Sequence, residues 1–144
     1  MIAYADTSFV VPLYRVETNS AAAAKAMSRL NAPVMLSPLG ELEVHNAFQL
    51  SVFRGGMDAS AAGRKIQLFA EDLANGVFQI HPVPAGTLYP LAIELAQRHS
   101  ATLGTRSLDL LHVAAAMILK ADLFLSFDER QKKAAKAEGL KVSS

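Results

Sequence analysis

Leu123-Phe124-Leu125-Ser126-Phe127-Asp128 is an apolar run that ends on an acid, and Ile2-Ala3-Tyr4-Ala5-Asp6 repeats that arrangement at the start of the chain. Short apolar runs bounded by polar residues and followed by a helical pattern read as buried strands. Val34 to Leu36, Val77 to Ile80 and, more weakly, Leu140 to Val142 add three more. Helical patterns fill residues 8–15, 20–30, 39–54, 59–75, 86–100, 108–120 and 129–138, separated by Pro33, Gly55-Gly56, Gly76, Pro82, Pro84 and Gly139. Strands that alternate with helices predict an α/β fold, a parallel β-sheet sandwiched by helices. There is no internal repeat or linker-like segment, and 144 residues suit a single domain, 1–144.

Composition narrows the chemistry. Hydrophobic residues make up 51% and charged residues 19%, and cysteine is absent. A disulfide framework and a thiolate metal site are therefore excluded, and any metal must be held by oxygen or imidazole. The longest clean apolar stretch, Val113 to Leu119, falls far short of the roughly 20 residues that span a bilayer. The N-terminus enters a strand with no basic leader, so a cytoplasmic protein without membrane association is expected.

Four acids stand where apolar or neutral side chains belong. Ligands of open α/β sheets collect outside the carboxyl ends of the strands, near a topological switch point, and Asp6 and Asp128 both follow strands. They converge if the first and fourth strands are neighbours. Glu43 shares a helical stripe with Leu39, Asn46, Ala47 and Leu50, which turns it inward, whereas Glu41 groups with His45 and Gln49 on a polar face. Asp109 opens a helix that is apolar on nearly every side through Leu119, and such a helix is buried. The helix dipole offers an acid there up to about 1 kcal/mol. An uncompensated buried carboxylate costs several kcal/mol. Carboxylates gathered out of water repel one another, so a cation is the natural compensation.

Local structure also accounts for some of these acids. Asp6, in Asp6-Thr7-Ser8, suits a helix N-cap, and Asp128-Glu129-Arg130-Gln131 fits a capping box with Gln131 three residues on. His112, one turn after Asp109, reads better as a hydrogen-bonded core histidine than as a ligand or base. The net charge of +1 is nearly neutral, but with the four acids neutralised by metal 14 basic groups face 9 acidic ones, a balance of +5. Arg130, Lys132, Lys133, Lys136 and Lys141 form a basic stretch suited to phosphates, or else a solvated helix face.

Asp6-Thr7-Ser8, Ser37-Pro38-Leu39-Gly40-Glu41-Leu42-Glu43-Val44, Thr105-Arg106-Ser107-Leu108-Asp109-Leu110-Leu111-His112-Val113-Ala114 and Leu125-Ser126-Phe127-Asp128 form an ordered set that resembles the PIN-domain nucleases, closest to the VapC-type toxins. The resemblance implies an α/β/α sandwich. It assigns Asp6, Glu43, Asp109 and Asp128 to acidic catalytic, metal-binding positions, and Ser8 and Ser126 to supporting polar positions. It further implies a Mg²⁺- or Mn²⁺-dependent endoribonuclease with an RNA substrate, a homodimeric assembly and a small cognate antitoxin as partner. The roles of Arg106 and His112 are left open.

An oxygen-only ligand set selects Mg²⁺ or Mn²⁺ independently of the resemblance. Two rival readings remain. An aspartate phosphoryl-acceptor domain lacks the second acid it needs near Asp6, and an inactive RNA- or protein-binding scaffold has no reason to keep all four acids.

Overall fold

The computed structural model describes residues 1–143, so Ser144, the last residue of the expected domain, lies outside the described residues. Five strands, β1 (Ala3–Ala5), β2 (Val34–Leu36), β3 (Phe78–Ile80), β4 (Leu123–Leu125) and β5 (Lys141–Val142), form one sheet in the order β3-β2-β1-β4-β5. Every pairing is parallel. Ala5 lies beside Leu125 in the register of β1 and β4, so the acids that follow these strands leave the sheet at the same edge. The chain moves outward to one side through β2 and β3 and to the other through β4 and β5. The switch therefore falls between β1 and β4.

Alternation along the strands divides the core. Ala3, Ala5, Val34, Leu36, Phe78 and Leu125 pack in one cluster with Phe9, Val44, Phe48 and Phe69. Those partners come from α1 (Thr7–Val10), α3 (Pro38–Phe53) and α4 (Ala59–Ala74), and α2 (Ser20–Ser28) adds Ala23 to the same cluster. Tyr4, Met35 and Phe124 point the opposite way, into a cluster with Leu95, Val113 and Ala135. These belong to α5 (Ala85–Leu95), α7 (Ser107–Ile118) and α8 (Glu129–Ala137). Helices thus cover both faces, as expected for a parallel sheet. No helix of the described residues is long and apolar enough to cross a membrane.

The helices differ from the sequence expectation at two prolines. The pattern over 8–15 is broken: α1 stops at Val10 and a 3₁₀ turn, Val11–Leu13, follows, because Pro12 has no N–H to continue the α-helical ladder. Over 86–100 the chain tolerates Pro90 within α5, then widens into a π-helical turn (Ala96–Ser100) before a last α-helical turn, α6 (Ala101–Leu103). Gly104, with φ of +67°, then takes the left-handed conformation that reverses the chain toward α7.

Candidate active site

Asp6 leaves β1 in an extended conformation and caps α1, accepting from the Phe9 backbone N–H at 3.1 Å through Oδ1. Ser8 donates to the same oxygen at 2.8 Å, and Ser126 donates to Oδ2 at 2.7 Å. Ser126 Oγ in turn accepts from the Asp128 N–H at 2.9 Å, and Ser8 Oγ from the Phe127 N–H at 2.9 Å. Both serines expected as supporting residues therefore stitch the end of β1 to the end of β4. Asp6 is 1% exposed and no Lys, Arg or His among the described residues pairs with it. Burial pushes its carboxyl up to about 6, against the partial relief of the nearby His112 and its hydrogen bonds.

Asp109 is also 1% exposed, but is compensated differently. Its Oδ2 accepts from the backbone N–H of Arg106 at 2.8 Å and from Arg106 Nε at 3.1 Å. Its Oδ1 accepts from Arg106 Nη2 at 3.2 Å and from Gln131 Nε2 at 3.1 Å. Burial alone raises such a carboxyl, yet the hydrogen bonds and charge of Arg106 outweigh it and hold Asp109 below its ordinary value. Arg106 Nη2 reaches on to Asp128 Oδ2 at 3.0 Å, so one guanidinium joins two of the four acids.

Asp128 caps α8 by accepting from the Gln131 N–H at 3.1 Å, as the sequence suggested. The expected reciprocal half of a capping box is not made. Gln131 turns its amide to Asp109, and Ser126 satisfies the Asp128 N–H instead. The other end of that amide, Gln131 Oε1, is buried without a hydrogen-bond partner among the described residues. Reversing the amide would set its oxygen against the Asp109 carboxylate, so Asp109 dictates the orientation.

Glu43 sits at the rim, not on the inward face predicted for it. The buried ridge of α3 is Gly40, Val44 and Phe48, whereas Asn46 and Leu50 from the stripe of Glu43 are exposed. Its side chain, 24% exposed, accepts from Thr7 Oγ1 at 2.8 Å and pairs with His112 Nε2. Burial raises the Glu43 carboxyl, but His112 and Thr7 prevail and hold it below its ordinary value. An ionised carboxylate only accepts, so His112 Nε2 carries the proton of this contact.

The opposite side of the His112 ring is fixed from the core. Its Nδ1 is 2.7 Å from the Tyr4 hydroxyl, which lies 3.0 Å from Ser37 Oγ, the cap of α3. Burial holds Tyr4 far above the usual phenol range, so the hydroxyl keeps its proton. His112 is thus a core histidine with both nitrogens engaged, and it supports one of the acids. Sequence reasoning missed the parts played by Arg106, Gln131, Tyr4 and Thr7. Only the three-residue spacing of Arg106 and Asp109 carried a local signal.

Asp6, Asp128 and Asp109 are linked around the switch through Ser126 and Arg106, and Glu43 reaches the same end of the sheet through Thr7, the residue after Asp6. Beside Asp128 opens a cleft of about 360 Å³ lined also by Thr7, Ser8, Arg15, Glu17 and Phe127 among others, and of the four acids only Asp128 borders it. The predicted basic stretch is divided. Arg130, Lys132 and Lys133 lie in the first turns of α8, whereas Lys141 pairs with Leu123 at the remote end of β4. Among the described residues, no three Asp, Glu or His side chains stand close enough in this arrangement to enclose a metal ion. The acids are turned onto protein donors. In kind they nevertheless suit a hard cation: the donors are oxygen, and buried Asp6 accepts its hydrogen bonds from hydroxyls and an N–H alone, with no cation among the described residues paired to it.

Three solved structures share the architecture. VapC20 of Mycobacterium tuberculosis, described as a sarcin-ricin loop cleaving toxin, is 21% identical, with a TM-score of 0.69 over 96% of this chain and 95% of its own. FitAcB from Neisseria gonorrhoeae is 18% identical, with a TM-score of 0.68 over 99% and 97%. PAE2754 from Pyrobaculum aerophilum is 17% identical, with a TM-score of 0.64 over 99% and 84%. At these identities the likeness is one of fold. No curated protein sequence matches the chain. The PIN domain family, whose members are generally nucleases, matches residues 3–137, which takes in β1 to α8 and all four acids, and the chain belongs to that family.

Proposed function

We propose that this chain is a metal-dependent endoribonuclease that serves as the toxin of a toxin–antitoxin pair. The observation that carries the reading is the gathering of Asp6, Glu43, Asp109 and Asp128 around the switch between β1 and β4 of a PIN fold. Asp6 and Asp109 would be the principal ligands of Mg²⁺ or Mn²⁺, with Glu43 and Asp128 completing the site or positioning water. The ion, when bound, activates water for in-line attack on a phosphodiester and stabilises the leaving oxygen. Ser8 and Ser126 hold the Asp6 carboxylate still, and their donors favour its ionised, ligating form against the effect of burial. His112, locked by Tyr4, keeps Glu43 ionised and aimed at the rim. Arg130 in the first turn of α8 and Asn19 in the open cleft would meet the RNA backbone, whereas Arg15 in the same cleft is taken up by Glu17 and Ser51.

The toxin role is supported by the likeness to VapC20, a toxin that cleaves the sarcin-ricin loop. A small antitoxin that covers the cleft, a homodimeric assembly and a cytoplasmic location belong to the same reading. The test is expression in the host. Wild-type chain alone should arrest growth, co-expression with an adjacent antitoxin gene should relieve the arrest, and purified chain should cleave a structured RNA pool only with Mg²⁺ or Mn²⁺. A well-expressed, folded chain that neither arrests growth nor cuts RNA sinks the proposal.

A further inference from the structure

Among the described residues, Arg106 is the only side chain that forms ion pairs with two of the four acids. It holds Asp109 through Nε and Nη2 and reaches Asp128 through Nη2. Asp109 is 1% exposed but the Arg106 side chain is 62% exposed, so the guanidinium approaches the acids from the solvent side. Its backbone has ties that do not involve the guanidinium: the Arg106 N–H donates to Asp109 Oδ2, the oxygen that Nε also meets, and Thr105 just before it is 2.6 Å from Ser100 through the two hydroxyls. The exposed side chain can therefore swing away while the start of α7 stays in place.

The carboxylate oxygens that the guanidinium occupies are among those a hard cation would use. Both cations cannot hold them together. A divalent ion brings two charges to an acidic cluster where Arg106 brings one, and it also suits the buried Asp6, which Arg106 does not pair with. We propose that Arg106 is an internal competitor of the metal: its guanidinium closes the site by bridging Asp109 and Asp128, and metal binding and release of the guanidinium are one exchange. This rests on the metal-dependent reading above. Competition of this kind weakens the apparent affinity by the fraction of molecules in the open form, so a site open in about one molecule in ten binds about ten-fold more weakly than it otherwise would.

The experiment is Mn²⁺ binding, followed by electron paramagnetic resonance of free Mn²⁺ at constant ionic strength. It compares the wild type, Arg106→Gln, Arg106→Lys and Asp6→Asn, each checked for fold by circular dichroism. Competition predicts that Arg106→Gln binds Mn²⁺ several-fold to about ten-fold tighter. Arg106→Lys, which keeps the charge and loses the planar two-pronged bridge, should fall between it and the wild type. Asp6→Asn should bind more weakly. Equal or weaker binding by Arg106→Gln overturns the competition, as does tighter binding by Arg106→Gln with none by Arg106→Lys, which is plain charge repulsion. If Mn²⁺ binds to none of the four proteins, the metal-dependent reading falls and the competition with it. A measurement on the wild type alone guards against misfolded variants: the Arg106 Nε–H nuclear magnetic resonance signal should shift as Mg²⁺ saturates the protein. A signal that stays put under saturating Mg²⁺ overturns the exchange.

Discussion

Ser126 donates its hydroxyl to Asp6 Oδ2 at 2.7 Å and so joins the carboxyl ends of β4 and β1, the two strands that flank the switch of the sheet. Ser126 Oγ also accepts from the Asp128 N–H, which makes one small side chain responsible for two acids. Ser126 is fully buried, so neither contact is replaced by water when it is lost.

Ser126→Ala should therefore leave both the Asp6 carboxylate and the Asp128 N–H short of a partner. The expected cost is about 1–3 kcal/mol, read as a lower urea midpoint in chelator, with RNA cleavage reduced at the same time. Unchanged stability would mean that the hydroxyl is dispensable to both acids.

Asp6→Asn should remove a pH dependence. Burial raises Asp6 to about 6 from an ordinary 3.8, so between these values the folded chain binds more protons than the unfolded one. The stability linked to Asp6 is complete below the lower value and is lost as pH rises through the upper one. The difference between these values corresponds to roughly 3 kcal/mol at most. In chelator, stability of the wild type minus that of Asp6→Asn should fall between pH 4 and 7, leaving the variant more stable above pH 7 by about 1–3 kcal/mol. Parallel unfolding curves across that range would show that Asp6 acts only as the cap of α1.

Asp109→Asn should abolish metal-dependent RNA cleavage in a protein that still folds. Asn keeps the shape and one acceptor, and Arg106, already largely exposed, regains water and keeps Asp128. The loss in stability should stay near 1–2 kcal/mol. Cleavage by the folded variant would take Asp109 out of the site.

His112→Ala should be the most disruptive of these changes, although His112 is expected to touch neither metal nor RNA. It leaves a void beside Tyr4, deprives Glu43 of one of its two donors and strips the buried Tyr4 hydroxyl of one partner. A loss of about 2–4 kcal/mol is expected. The pH profile of Mn²⁺ binding should also move upward, because Glu43 loses the contact that keeps it ionised. An unmoved profile would limit His112 to packing.

The sequence alone determined the elements and the chemical types. Five strands, most of the helix positions and the acids at strand ends were legible because burial imposes a local period, and local periods are written in consecutive residues. The capping roles of Asp6 and Asp128 were legible for the same reason, since a cap bonds within its own first turn. Local pattern misled where two features competed. Pro12 broke a helix whose apolar pattern continued, and Glu43 lay one stripe away from the ridge that α3 buries. Tertiary structure alone decided how the acids are held. The Asp128–Arg106, Glu43–His112 and Tyr4–His112 pairs lie 22, 69 and 108 positions apart. Each forms only once β1 lies beside β4 with α7 packed across that face, because a hydrogen bond needs its two atoms within about 3 Å, and no spacing along the chain encodes which elements the fold brings that close.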